Sequence, residues 1–200
     1  MLLRIHPDNP NQREIDKVIK CLKSGGVIIY PTDTVYAFGC DINSTKAIDR
    51  ICQIKNIQPK KALFSFICYD LKHLADYAKQ IPNNVFKFMK SALPGPYTFI
   101  LNAHSSIPKQ FRSKRKTVGI RVPDNNVARE IVRQLGNPLL SSSIKDGEIE
   151  YVTDPTLIYE KYKDKVDIVI DGGYGNFLTS TVLDCTSDEI EIVRQGAGEF

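Results

Sequence analysis

The sequence predicts one α/β domain over residues 1–200, a twisted mixed β-sheet with flanking helices, and three observations predict it. Helix-period and strand-period apolar patterns interleave from one end of the chain to the other. No Pro/Gly/Ser-rich linker, low-complexity tract or sustained repeat divides them. Several short strand patterns crowd the last third, which adds an antiparallel portion to the sheet.

After the turn-rich HPDNPN, Ile15, Val18, Ile19 and Leu22 recur at helical spacing and Gly25-Gly26 stop the helix. Val27 to Tyr30 is a β-branched and aromatic strand ended by Pro31. A polar loop then leads to a helix opening at Ser44, with Ala47, Ile48, Ile51 and Cys52 inward. Ala62 to Cys68 is an apolar run, followed by helical stretches around 71–79 and 83–91 and by a turn, LPGP, that opens a strand to Leu101. Beyond a polar and basic stretch at 103–116, Thr117 to Val122 form a strand, and Val127, Ile131, Val132 and Leu135 a helix ending at Gly136. PLLSSS at 138–143 is a buried strand opening into a polar loop, and 154–163 is a helix capped by Asp154 with Pro155 in its first turn. Strands at 166–171, 179–184 and 189–194 finish the chain.

Twenty-seven Lys+Arg against 23 Asp+Glu give a net charge of +4, too small by itself to argue for a nucleic-acid partner. Five cysteines without CxxC spacing disfavour a disulfide framework and a zinc knuckle, and read as reduced and mostly buried. No apolar stretch resembles a signal peptide or a membrane span, so a soluble, cytoplasmic protein is expected. His6, His73 and His104 lie in separate segments without paired ligand spacing, so no protein-built metal site is expected and each is read as a surface or satisfied histidine.

The chemistry concentrates at strand ends. Thr32, Asp33, Thr34 and Tyr36 follow a strand directly, where hydroxyls can hold a small zwitterion; a simple turn explains Pro31, Thr32 and Asp33 equally well. Thr117 and Arg121 lie four apart on one strand and face the same side, fit for a carboxylate or phosphate, although solvated outward positions are the simpler reading. The serines at 141–143 offer hydroxyls and amides to an anion, or only a loop. Walker A, GxGxxG and GxSxG patterns are all missing from the sequence. The run KQFRSKRK holds Lys109, Arg112, Lys114, Arg115 and Lys116 with no acid between them, either a salt-dependent RNA contact or a solvated loop.

Taken in order, YPTDTVYAFGCD, PGPYTFIL, TVGIRVPDN, PLLSSS, IDGG, STVLD and VRQGA resemble the successive motifs of the YrdC/YciO family of threonylcarbamoyl-AMP synthases, and IHPDNP with KRKTVGIRVP resembles its YciO branch. The resemblance implies an α/β fold of the YrdC/RibB type, with a concave basic face suited to ATP, L-threonine and, in some relatives, tRNA or double-stranded RNA. It implies that Thr32, Arg121, Ser141 and Ser180 contact L-threonine, that Lys55, Thr117, Ser143 and Arg194 hold ATP, and that Lys55 and Arg194 are catalytic. The implied reaction joins L-threonine, bicarbonate and ATP, the last with Mg2+, into threonylcarbamoyl-AMP and pyrophosphate, feeding threonylcarbamoyladenosine modification of tRNA. The sequence departs from the family pattern in three places. The KxR motif is Lys55-Asn56-Ile57, the SxN motif is Ser143-Ile144-Lys145, and a frequent histidine is Phe66. Ile57 removes an arginine's bidentate phosphate contact, and Lys145 is placed to compensate as a cation. The expected activity is therefore that of a nucleotidyltransferase weakened or diverged at these positions. Double-stranded RNA or tRNA binding without catalysis, and a nucleotide-binding regulatory module, stand as alternatives.

Overall fold

A computed structural model describes residues 1–108, 116–145 and 147–200. Ten strands among these residues form one open mixed sheet: β1 (Leu2–Arg4), β2 (Ile28–Tyr30), β3 (Ala37–Asp41), β4 (Ser65–Ile67), β5 (Tyr97–Asn102), β6 (Thr117–Arg121), β7 (Leu139–Ser143), β8 (Ile168–Asp171), β9 (Thr181–Asp184) and β10 (Glu191–Arg194). Their order across the sheet is β1-β8-β2-β3-β7-β4-β6-β5-β9-β10. β1, β8 and β2 run parallel, as do β4 with β6 and β5 with β9; the other neighbours are antiparallel, including the final β9–β10 pair.

The helices form where sequence periodicity meets a cap. α1 (Gln12–Lys23) opens on Asn11, whose side chain accepts from the Arg13 amide, and α2 (Thr45–Ile54) opens on Ser44. α3 (Leu71–Ala75) is capped by Asp70, while α4 (Asn83–Ala92) follows Pro82. α5 (Asn126–Leu135) is capped by Asn125 and stops at Gly136, whose φ of 83° is the left-handed geometry glycine accepts without strain. α6 (Glu150–Thr153) leads into α7 (Pro155–Tyr162), which carries the expected Asp154 cap and Pro155.

Strand alternation splits the core in two. On one face Phe38, Phe66, Phe99, Ile120, Leu140 and Leu183 meet α2, α3, α4, α6 and α7 in the larger core. On the other, Leu3, Ile28, Tyr30, Ile67, Leu139 and Ile170 meet Ile15, Val18 and Leu22 of α1 and Val127, Ile131 and Val132 of α5. This second cluster ends at Ala37, Ile67 and Leu139. Register carries the same face onward through Ser141, Ser65, Gly119 and Ile100, all but Ser141 part exposed.

Two strands differ from the sequence reading. The stretch after Tyr36 carries β3 rather than loop, and Leu2–Arg4 is an edge strand. β3 is buried on both faces and so lacks alternation, and its Gly39 gives no strand signal. Gly39 has a packing reason: a Cβ there would stand 2.8 Å from the Tyr30 ring. The 62–68 run narrows to three paired residues after a 3₁₀ turn at Pro59–Lys61. No described helix is long and apolar enough to cross a membrane.

Candidate functional site

The open half of this sheet face gathers the polar residues. Ser141 lies opposite both Gly39 and Ser65, Ser65 opposite Gly119, and Gly119 opposite Ile100. Two residues further along this face stand Arg121 and Thr98 in one direction and Ser143 in the other. Gly119 is the floor of this surface, because it is part exposed and has Ser65 and Thr98 as its side-chain neighbours.

Arg121 is 5% exposed, unusual for a guanidinium, and it forms an ion pair with Asp33 from the loop between β2 and β3. The pair meets at one point, Nη2 to Oδ1, and leaves Arg121 Nε and Asp33 Oδ2 buried without a partner. Thr32 directs its hydroxyl to the Val35 carbonyl (2.8 Å) and accepts from the Thr34 amide (3.0 Å), which fixes the turn that carries Asp33. The loop is braced from outside. Tyr36 donates to the Gly173 carbonyl at 2.6 Å and accepts from the Gly172 amide, and the Asn176 amide reaches the Thr34 carbonyl.

Beside Arg121, Tyr30 donates to Ser141 Oγ at 2.6 Å. Burial pushes the Tyr30 and Tyr36 phenols well up, so both remain protonated donors. Ser180 and Thr98 share a hydroxyl contact of 2.8 Å, and Arg194 donates to the Ser180 carbonyl (2.7 Å) and approaches its hydroxyl (3.3 Å). Partial burial, and then repulsion from Arg121, lower the Arg194 pKa, so the two guanidiniums share one field.

Lys55 caps the end of α2, lies over the Phe38 ring at 5.5 Å and donates to the Ser143 carbonyl at 2.6 Å. Burial lowers its pKa, and Lys145 adds a repulsive contribution. The lysine of the expected compensation therefore faces the same end of β7 as Lys55. Thr117 is part exposed on the Arg121 side of β6. Phe66 projects into the larger core, away from Ser65, so its side chain does not face this surface.

Of the expected RNA-contacting residues, Lys116 is exposed with φ 52°, while Lys109, Arg112, Lys114 and Arg115 lie outside the described residues. The five cysteines are free, and burial raises their pKa, to about 11 for Cys21 and about 12 for Cys185, which disfavours thiolate chemistry. His6 and His104 accept local backbone bonds, but buried His73 leaves Nδ1 without a partner, a correction to the expectation that each histidine is exposed or satisfied. It stacks on Tyr69 at 4.5 Å and meets Tyr77 edge-on, where ring contacts take the place of a hydrogen bond. Among the described residues no group of three His, Cys, Asp or Glu could hold a metal ion.

Sequence reasoning quoted Asp33 only as a turn or a zwitterion-binding neighbour and missed its pairing with Arg121, 88 residues away. One signal was available: an arginine inside the apolar strand pattern TVGIRV needs a buried partner, and acids at strand-end loops are the candidates. Tyr30 and Thr98 were read as strand residues, yet they orient Ser141 and Ser180.

The comparisons with known proteins agree with this architecture. The family model of Sua5, YciO and YrdC, described as telomere recombination, matches residues 20–196. YciO of Escherichia coli K12, an uncharacterized protein, is 41% identical over 98% of this chain and 95% of its own length. A threonylcarbamoyl-AMP synthase of Coxiella burnetii is 28% identical over 82% of this chain and 87% of its own length. The E. coli YciO crystal structure superposes with a TM-score of 0.91 at 40% identity, covering 100% of this chain and 97% of that one. P. abyssi Sua5 complexed with L-threonine shares the fold at a TM-score of 0.87 and 23% identity, over 98% of this chain and 57% of that chain. By the reach of the family model and by its identity to YciO, the chain belongs to the Sua5/YciO/YrdC family.

Proposed function

We propose that this protein binds L-threonine and ATP side by side on the open half of the sheet, and joins them with bicarbonate into threonylcarbamoyl-AMP, releasing pyrophosphate. The observation that carries the reading is the buried Arg121, set among Ser141, Ser180 and Asp33 and sharing its field with Arg194, while Lys55 reaches the Ser143 carbonyl at the far end of β7. An arginine withdrawn from water on a polar face is a carboxylate receptor, and cations beside it can collect phosphates. The threonylcarbamoyl-AMP synthase of Coxiella burnetii and the L-threonine complex of P. abyssi Sua5 support this choice of substrates.

In this reading Arg121 takes the amino-acid carboxylate, and the Ser141 and Ser180 hydroxyls, preset by Tyr30 and Thr98, orient the rest of the molecule. The Thr32 turn holds the adjoining loop. The threonine amine and bicarbonate condense to a carbamate, the new N–C bond forming as water leaves; a carbamate oxygen then attacks the α-phosphorus of ATP, and the bond to the pyrophosphate oxygen breaks. Lys55 and Arg194 stabilise charge on the phosphates, with magnesium arriving as part of the nucleotide substrate, while Thr117 and Ser143 supply polar contacts at the Lys55 end of the strands. Holding both reactants on one rigid sheet supplies orientation. Ile57 offers the triphosphate nothing, so Lys145 beside Lys55 carries the compensating charge. A rate below that of a synthase with arginine at this position follows.

Purified protein incubated with ATP, L-threonine and bicarbonate should yield threonylcarbamoyl-AMP and pyrophosphate in equal amounts. Absence of both at high enzyme concentration defeats the reading.

A further inference from the structure

The Asp33–Arg121 pair has a feature that an ordinary structural salt bridge lacks. Both groups are withdrawn from water, with side-chain exposures of 11% and 6%, yet they meet through a single hydrogen bond. Arg121 Nε, a donor, and Asp33 Oδ2, an acceptor, are both buried and both idle. Removing two ions from water is repaid only when their remaining hydrogen-bonding capacity is used, so this resting arrangement is incomplete. Nothing in the pair's own geometry completes it. Thr32 and Thr34 spend their hydroxyl hydrogen bonds on each other and on the Val35 carbonyl, and Arg194 is held on Ser180.

We propose that the Asp33–Arg121 pair is a receptor for the two charged ends of an α-amino acid, in which Asp33 is the acceptor for the ammonium group and thereby sets specificity for a zwitterion. This rests on the amino-acid reading of the Arg121 site above. Binding is an exchange: the guanidinium gives up the Asp33 carboxylate for that of the ligand, and Asp33 gives up the guanidinium for the ligand ammonium. One single-point ion pair becomes two, and the idle donor and acceptor both gain partners. Charge conservation decides which ligands fit. The pair is neutral, a zwitterion is neutral, and inserting one into the other brings no net charge into the buried site. A 2-hydroxy acid of the same shape carries its carboxylate but no ammonium, so it takes the Arg121 guanidinium from Asp33 and returns nothing, leaving that carboxylate buried without a partner while Arg194 stays on Ser180. An amine without a carboxylate fails for the mirror reason.

The test compares L-threonine with 2,3-dihydroxybutanoate, its hydroxy-acid analogue, by titration calorimetry on the full chain and its Asp33→Asn and Asp33→Glu variants. Wild type should favour threonine by about tenfold or more. Asp33→Asn should weaken threonine by a similar factor and strengthen the hydroxy acid, so that the preference collapses or inverts, while Asp33→Glu, which keeps the charge, should retain it. A thermal melt of each variant ensures that ligand-free fold loss is not read as selectivity. An unchanged ratio in Asp33→Asn overturns the proposal, and so does tighter threonine binding in that variant, which would make Asp33 a mere competitor for Arg121. If wild type binds neither compound, the amino-acid reading of the site falls first and this proposal with it.

Discussion

One face of the sheet is built in two ways. Under α1 and α5 its residues are Leu3, Ile28, Leu139 and Ile170, all buried; from Ser141 on β7 onward through β4, β6 and β10 they are Ser141, Ser65, Gly119 and Arg194. Both halves belong to one pleated sheet and meet on β7, so backbone geometry does not distinguish them. What differs is cover. Where helices exclude water the face is aliphatic and serves stability; where no described apolar cluster closes over it, the same alternation presents hydroxyls and guanidiniums. Substitutions should therefore divide cleanly into those that cost folding and those that cost binding.

The largest effect is expected under α5. Ile131→Ala removes a fully buried side chain from the smaller core and should lower unfolding free energy by about 2–4 kcal/mol in urea titration. Ligand affinity of the fraction that remains folded should stay near wild type. Arg121→Met tests the point where the halves meet. It strands Asp33 in a buried position, so a loss of about 3 kcal/mol is expected together with loss of threonine binding. The double variant with Asp33→Leu should recover much of the stability and none of the binding, whereas recovery of both would show that the pair serves only the fold.

Effects on the open half are smaller in stability and larger in function. Arg194→Ala should move stability by no more than about 0.5 kcal/mol, since the residue is exposed, while nucleotide affinity falls; unchanged nucleotide affinity would remove Arg194 from the phosphate site. Gly119→Ala is a finer probe. Its new methyl would sit 3.5 Å from Thr98 Cγ2 and 3.6 Å from Ser65 Oγ, ordinary contacts that leave the fold intact but raise the floor of the site. Weaker binding at an unchanged melting temperature is the expected result.

The smallest expected effect is electrostatic. Burial lowers the Lys55 pKa below the ordinary 10.5, so between those two values the unfolded chain binds more protons than the folded one. The cost of keeping Lys55 charged is thus present at neutral pH and is relieved as pH rises toward 10.5. Lys55→Met should flatten this alkaline gain in stability and weaken ATP binding in the same protein. An identical pH slope would mean that Lys55 is not withdrawn from water.

The division also explains what could be read before any coordinates. Helix α2 is legible because periodicity and a cap, Ser44, coincide, α1 and α5 through periodicity and the glycines that end them, and α7 through Asp154 and Pro155. β3 was hidden, because a strand buried on both faces has no period and its glycine answers to Tyr30, a residue on a neighbouring strand. Arg121 and Thr117 could be put on one side of β6 from spacing alone. Which partner awaited Arg121 depended on the β2–β3 loop meeting the end of β6, a long-range closure that no local pattern encodes.

Tyr36 and Asn176 give the 172–176 segment authority over a residue it does not contain. Because they fasten that surface segment to Asp33's own carbonyl and to the residues that follow it, a change of length or side chain there can shift the carboxylate toward or away from Arg121 while both charged residues stay in place. The proposed amino-acid site is thus adjustable from the periphery, by editing a solvent-facing bend and leaving the charged groups alone.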